Sequence, residues 1–244
     1  MLELLPVALI FLLAGAVQGF TGFGGGLVSM ALLPLLWSVK ASVAVVGIFS
    51  LALTSGLAWT WRSHIDKKEL LPIASTAILG VPLGVWSLHK MNETVVIGIL
   101  GAVLVAHATW SLWGRPPADE PSVSRKWGPL AGFLGGILSG AFNTSGPPVI
   151  IYGTERGWVK DRFRATLQGY FLLTTVLSTT GYVTTGIITA ESLKQNAMLL
   201  PALILGAWAG QRASRFVNPE TFRKLVLWAL LGMGVFYGVR FFTS

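Results

Sequence analysis

Gly19-Phe20-Thr21-Gly22-Phe23-Gly24-Gly25-Gly26 decides how this chain folds. Five glycines in eight residues oppose a continuous helix, yet the run lies between two apolar segments, 4–20 and 27–37. A second interruption, Gly140-Ala141-Phe142-Asn143-Thr144-Ser145-Gly146-Pro147-Pro148, follows apolar residues 128–142 and precedes a short arm, 149–154. The surroundings are lipid-like in composition. Of the 244 residues 53% are hydrophobic and only 11% charged, whereas soluble domains carry about 25% charged residues. In hydrocarbon every backbone N–H and C=O needs an internal partner, so irregular backbone survives only inside protein or beside a wet cavity. Two such breaks in corresponding places point to a binding site.

Working outward, apolar runs of spanning length occur at 41–61, 70–88, 95–113, about 165–185, 197–211 and 224–242. The expected fold is an all-α integral membrane protein of two repeats, each a broken helical hairpin plus three transmembrane helices. The Pro-rich polar stretch 114–127 serves as a linker between a first repeat, 1–113, and a second, 128–244. The halves match in detail. Gly15, Gly19 and Gly25 align with Gly136, Gly140 and Gly146 at an offset of 121, and Ile78-Leu79-Gly80 with Gly84 aligns with Ile204-Leu205-Gly206 with Gly210 at 126. The N-terminus carries Glu3 and no basic residue ahead of its apolar run, unlike a cleaved signal peptide.

Charge orients the chain. If each broken segment is a hairpin that enters and leaves on one side, the loops at 62–69, 114–127, 155–164 and 212–224 share a face. They hold 14 of the 18 Lys and Arg, leaving Lys40, Lys90, Lys194 and Arg240 opposite. A single kinked span in place of each hairpin splits them 10 to 8. The positive-inside rule prefers the hairpins, with the linker in the cytoplasm, both termini outside and the second repeat inverted. It also accounts for the net charge of +8 without a nucleic-acid partner.

The breaks suit an anion. A helix restarted within the membrane presents free N–H groups and the positive end of its dipole. Gly22, Gly24, Gly25 and Gly26 allow close approach of backbone, Pro147 and Pro148 fit a first helical turn, and Thr21, Asn143, Thr144, Ser145 and Gly146 complete the candidate substrate-binding set. One helix end contributes up to about 2 kcal/mol. Two ends and a few hydrogen bonds of about 1 kcal/mol each reach the 4 kcal/mol or so of a millimolar dissociation constant, which suits a carrier that must release its cargo. The alternative is that these glycines serve only helix packing, the reading that the Gly-x3-Gly seams at Gly80, Gly132, Gly136 and Gly206 call for. All ten acids fall at ends or in loops, which disfavours a carboxylate proton relay or cation site. His107, Gln18 and Gln168 are candidate cavity or coupling residues. Cysteine is absent and no metal-ligand or catalytic motif occurs, so neither enzyme chemistry, nor a metal, nor a cofactor is expected.

These motifs resemble the TauE/SafE family of sulfite exporters, the sulfonate uptake permease group. Gly19 and Gly22 with Gly24-Gly25-Gly26 look like its early Gly-x-x-Gly-x-Gly-Gly-Gly signature, and Ser139-Gly140 with Gly146-Pro147-Pro148 looks like its mid-chain Ser-Gly…Gly-Pro-Pro run. Asn143 and Ser145 stand where members of the family often have glycine. The resemblance implies movement of sulfite, an organosulfonate or a related sulfur oxyanion across the cytoplasmic (inner) membrane by alternating access. A passive anion channel and a non-transporting membrane partner subunit are the other readings. The expected partners are a small anionic substrate and the lipid bilayer, and association into a homo-oligomer stays open.

Overall fold

The computed structural model describes residues 4–114 and 122–243. Most of the expected linker, 115–121, and the residues that would place the termini, 1–3 and 244, lie outside them. Among the described residues there is no strand and there are ten α-helices. They are α1 Leu4–Thr21, α2 Gly25–Leu32, α3 Val39–Trp61, α4 Lys67–Lys90, α5 Glu93–Trp113, α6 Gly128–Phe142, α7 Gly146–Glu155, α8 Lys160–Thr184, α9 Ala190–Ala213 and α10 Pro219–Thr243. The protein is all-α, with both expected interruptions in place.

Several helices start earlier than their apolar runs suggest, and in two of them, α4 and α10, an Asx side chain takes up first-turn N–H groups. Asp66 Oδ1 accepts from Lys68 N at 2.9 Å and Glu69 N at 3.3 Å, which brings Glu69 into α4 rather than the preceding loop. Asn218 Oδ1 accepts from Glu220 N at 2.9 Å and opens α10. Asn92 caps α5, its Oδ1 accepting from Val95 N at 3.0 Å.

Among the described residues, four helical stretches are long and apolar enough to cross a membrane: Val39–His64, Lys67–Lys90, Glu93–Trp113 and Pro219–Thr243. Residues Leu5–Thr21 and Gly25–Leu35 form shorter apolar helices. At about 1.5 Å per residue, α8 and α9 have the length of a span but are more polar. In α8 part of the reason is visible: Thr166, Thr174, Thr175 and Ser178 are buried, so these four hydroxyls face protein rather than lipid.

The chain forms two compact units, each drawn from both halves of the sequence. Unit 1 comprises Met1–Val46, Met91–Gly114 and Ala190–Ser244, in which α1 packs on α9 and α5 on α10. Unit 2 comprises Gly47–Lys90 and Arg115–Thr189, in which α4 packs on α6 and α8.

Glycine sets the close packing in both units. In unit 1, a Cβ on Gly15 or Gly19 would overlap the carbonyl of Leu203 or Ala207, and one on Gly206 or Gly210 that of Leu12 or Ala16. In unit 2, a Cβ on Gly140 would overlap Val81 O, and one on Gly80 or Gly84 would overlap Phe133 O or Ile137 O. A Cβ on Gly136 would stand 2.9 Å from Ala77 O. Every pair in one unit maps onto a pair in the other at the offsets of 121 and 126 found in the sequence. The seam glycines are therefore packing residues, as small residues between membrane helices usually are. Gly232 in α10 is different, since nothing lies within 4 Å of its Cβ position. Gly232→Ala is expected to be neutral or to stabilise by up to about 1 kcal/mol through helix propensity, measured by thermal unfolding in detergent.

Candidate functional site

Each unit contains one interrupted hairpin, and the two interruptions are built differently. In unit 1, α1 ends at Thr21 and α2 begins at Gly25. Gly22 and Gly24 take left-handed conformations, φ 86° and 93°, which only glycine adopts without strain. Gln18 braces the turn: its Oε1 accepts from Gly25 N at 2.9 Å. Thr21 Oγ1 lies 2.8 Å from Val17 O and also bonds Phe23 O, so its hydroxyl is engaged by the break itself. Gly25 fits against α1, since a Cβ there would stand 2.9 Å from Ala14 O. With Gly25 N–H capped by Gln18, the first-turn N–H groups of Gly26 and Leu27 are the ones with no helical carbonyl to receive them. Thr21, Gly22 and Gly24 are half-buried.

In unit 2, α6 ends at Phe142 and α7 restarts at Gly146. Asn143, at the position equivalent to Gly22, is likewise left-handed, with φ 51°. Its N–H donates to Ser139 O at 2.7 Å and that of Thr144 to Leu138 O at 3.3 Å, closing α6. Asn143, Thr144, Ser145, Gly146 and Pro147 are all buried. Pro147 and Pro148 occupy the first turn of α7 and have no N–H, so this helix start offers fewer backbone donors than α2 does.

A stripe of hydroxyls on α8 holds the second break. Thr166, Tyr170, Thr174, Ser178 and Tyr182 recur every fourth residue and so lie along one side of the helix. Tyr170 OH donates to Gly132 O at 2.8 Å, and Tyr182 OH lies 2.9 and 3.0 Å from the carbonyls of Ser139 and Gly140. Thr174 Oγ1 pairs with Ser145 Oγ at 3.1 Å and Ser178 Oγ with Ser139 Oγ at 2.9 Å. Sequence reasoning missed this stripe, although a period of four was its signal. Against that background, three buried side-chain atoms stand out: Asn143 Nδ2, Asn143 Oδ1 and Thr144 Oγ1 pair with no protein group.

The other candidates fall elsewhere. Gln168 is buried on α8 but outside the stripe, and His107 is buried on α5, which packs on α10 in unit 1. Arg62 and Arg212 lie over Trp59 and Trp208, at 4.2 and 5.7 Å from the ring centroids. Such contacts anchor a helix end.

An unforeseen polar centre gathers at the start of α4. Glu69, 4% exposed, accepts from Arg125 Nη2 at 2.9 Å, Arg156 Nη2 at 3.0 Å and Tyr152 OH at 2.9 Å. Hydrogen bonding to Glu69 holds the Arg156 guanidinium above its ordinary pKa. Arg156 Nη1 reaches Val123 O at 3.1 Å, so the segment before α6 is tied to the end of α7.

The chain is 27% identical over 239 residues to a protein of Cupriavidus necator named Probable sulfite/organosulfonate exporter TauE, covering 95% of this chain and 93% of that one. A shorter match, 31% identical over 111 residues, is to Rhomboid-like protein 11, chloroplastic, of Arabidopsis thaliana, and spans 41% of this chain and 39% of that protein. No solved structure matches the chain. Residues 7–237 match the family described as Sulfite exporter TauE/SafE, whose members are transporters and not enzymes. With its apolar helices, paired interrupted hairpins and a match over nearly its whole length, this chain is a multi-pass membrane transporter that belongs to the sulfite exporter TauE/SafE family.

Proposed function

We propose that the chain is a secondary carrier that moves sulfite, an organosulfonate or a related sulfur oxyanion across the cytoplasmic membrane by alternating access. The observation that carries this reading is the interrupted hairpin in each compact unit, with unpaired donors at both breaks: first-turn N–H groups at Gly26 and Leu27, and the side chains of Asn143 and Thr144. The Cupriavidus necator relative, named a probable sulfite/organosulfonate exporter, supports the substrate class. The repeats 1–113 and 128–244 are inverted with respect to each other, the linker is cytoplasmic and both termini are outside, an orientation supported by the loop charges. Thr21 and Gln18 shape the first break, Gly22, Gly24, Gly25 and Gly26 let cargo approach its backbone, and Asn143, Thr144, Ser145, Gly146 and Pro147 form the second.

Purified protein in liposomes is expected to take up sulfite or alkylsulfonates saturably and to discriminate against sulfate and chloride. Non-saturating flux would support a channel instead. Gly146→Leu is the cleaner site variant, because a Cβ there meets side-chain atoms of Ile150 and Phe171, at 3.1 and 3.7 Å, and no backbone. It is expected to insert normally and lose uptake, and retained flux would remove the second break from the site. Gly25→Leu should also lose uptake, but it displaces Ala14 O as well.

A further inference from the structure

We infer that the second break selects a singly charged oxyanion that carries its own hydrogen-bond donor, such as a protonated sulfur oxyanion or a hydroxyalkylsulfonate. This rests on the transport reading above and names the cargo more closely. The inference starts from the unpaired atoms. Asn143 and Thr144 are 8% and 4% exposed, and both heteroatoms of the Asn143 amide and the Thr144 hydroxyl lack a protein partner. Whichever way the amide is assigned, it presents one NH2 donor group and one carbonyl acceptor. Buried polar groups are paired as a rule, and leaving one unmade is costly.

A fully deprotonated dianion has only acceptor oxygens. It would satisfy the amide NH2 and the Thr144 hydroxyl but set an oxygen against the amide carbonyl. A monoanion with an O–H satisfies all three. Charge points the same way: neither 18–26 nor 139–149 contains Lys, Arg or His to balance a second negative charge. At α7, Pro147 and Pro148 remove two first-turn donors, so recognition falls to these side chains more than to the helix end. For sulfite, the carried species is then the protonated monoanion.

The test compares two monoanions of equal length in proteoliposomes, ethanesulfonate and 2-hydroxyethanesulfonate, in the native protein and in Asn143→Gly. The variant keeps the left-handed turn, which Gly22 already makes in the first break, while removing both amide atoms. A hydrogen bond of about 1 kcal/mol corresponds to roughly a fivefold difference in apparent affinity. The native protein is expected to prefer the hydroxyl compound by about that factor, and in Asn143→Gly the ratio of the two apparent affinities is expected to fall to about one, with uptake of both compounds weakened. Equal affinities in the native protein, or a preference that survives in Asn143→Gly, would overturn the inference and leave the transport reading intact. No saturable uptake of either compound would overturn both.

Discussion

Glu69→Ala is expected to destabilise the protein by about 3 to 5 kcal/mol, the range for removing one partner of a buried ion pair. The carboxylate accepts from Arg125, Arg156 and Tyr152 and is almost wholly shielded. Deleting it leaves the Arg156 guanidinium, 19% exposed, without its counter-charge, and the Tyr152 hydroxyl without its acceptor. Arg125, at 47% exposed, recovers more of its loss by solvation. Glu69→Gln should cost nearly as much, because its amide NH2 would face donors. For a chain of this size such a loss lowers the unfolding temperature by on the order of 10 °C. Thermal unfolding in detergent, followed by tryptophan fluorescence, reads it directly. The double variant Glu69→Ala with Arg156→Met should recover part of the loss, since no unpaired buried charge remains. A shift below about 2 °C for Glu69→Ala would show that the cluster is not energetically coupled.

The second large effect is expected at Gly132. A Cβ there would overlap the carbonyl, carbonyl carbon and Cα of Ile73, all backbone atoms of α4. No side-chain rotation relieves that clash, so α4 and α6 must separate. Overpacking costs of about 1–3 kcal/mol apply where side chains can adjust, and Gly132→Val should exceed them. Separation would also pull Gly132 O from Tyr170 OH, adding a lost buried hydrogen bond. The expected result is little or no folded protein in the membrane fraction. Gly232→Val, at an open position of α10, serves as the control and should accumulate normally. Comparable yields of the two variants would refute the backbone-contact account.

Much of this was legible in the residues themselves. Hydropathy and run length marked the helices, and the glycine run and the Asn-Thr-Ser-Gly-Pro-Pro run marked where α1 and α6 had to stop. Both are local properties: a helix stops where its own residues oppose helical backbone and its last carbonyls are taken up by the turn that follows. The offsets of 121 and 126 identified glycines that the two units use in the same way. Asp66 and Asn218 were legible as caps in principle, yet apolar runs conceal them because capping residues are polar.

What the tertiary structure alone decided is pairing. Nothing in the chain order says that α1 lies on α9 or α4 on α6, since any apolar helix face can in principle cover another. Glu69 looks like a loop acid until Arg125 and Arg156, more than fifty residues away, converge on it. Gln18 and Thr21 look like cavity donors until the first break engages them. Asn143 and Thr144 were candidates from composition, but only the structure, by pairing almost every polar neighbour around them, shows that these two side chains remain unmatched. Burial makes that distinction physical, because in water an unpaired amide has a partner everywhere and inside protein it has only what the fold or a ligand brings to it.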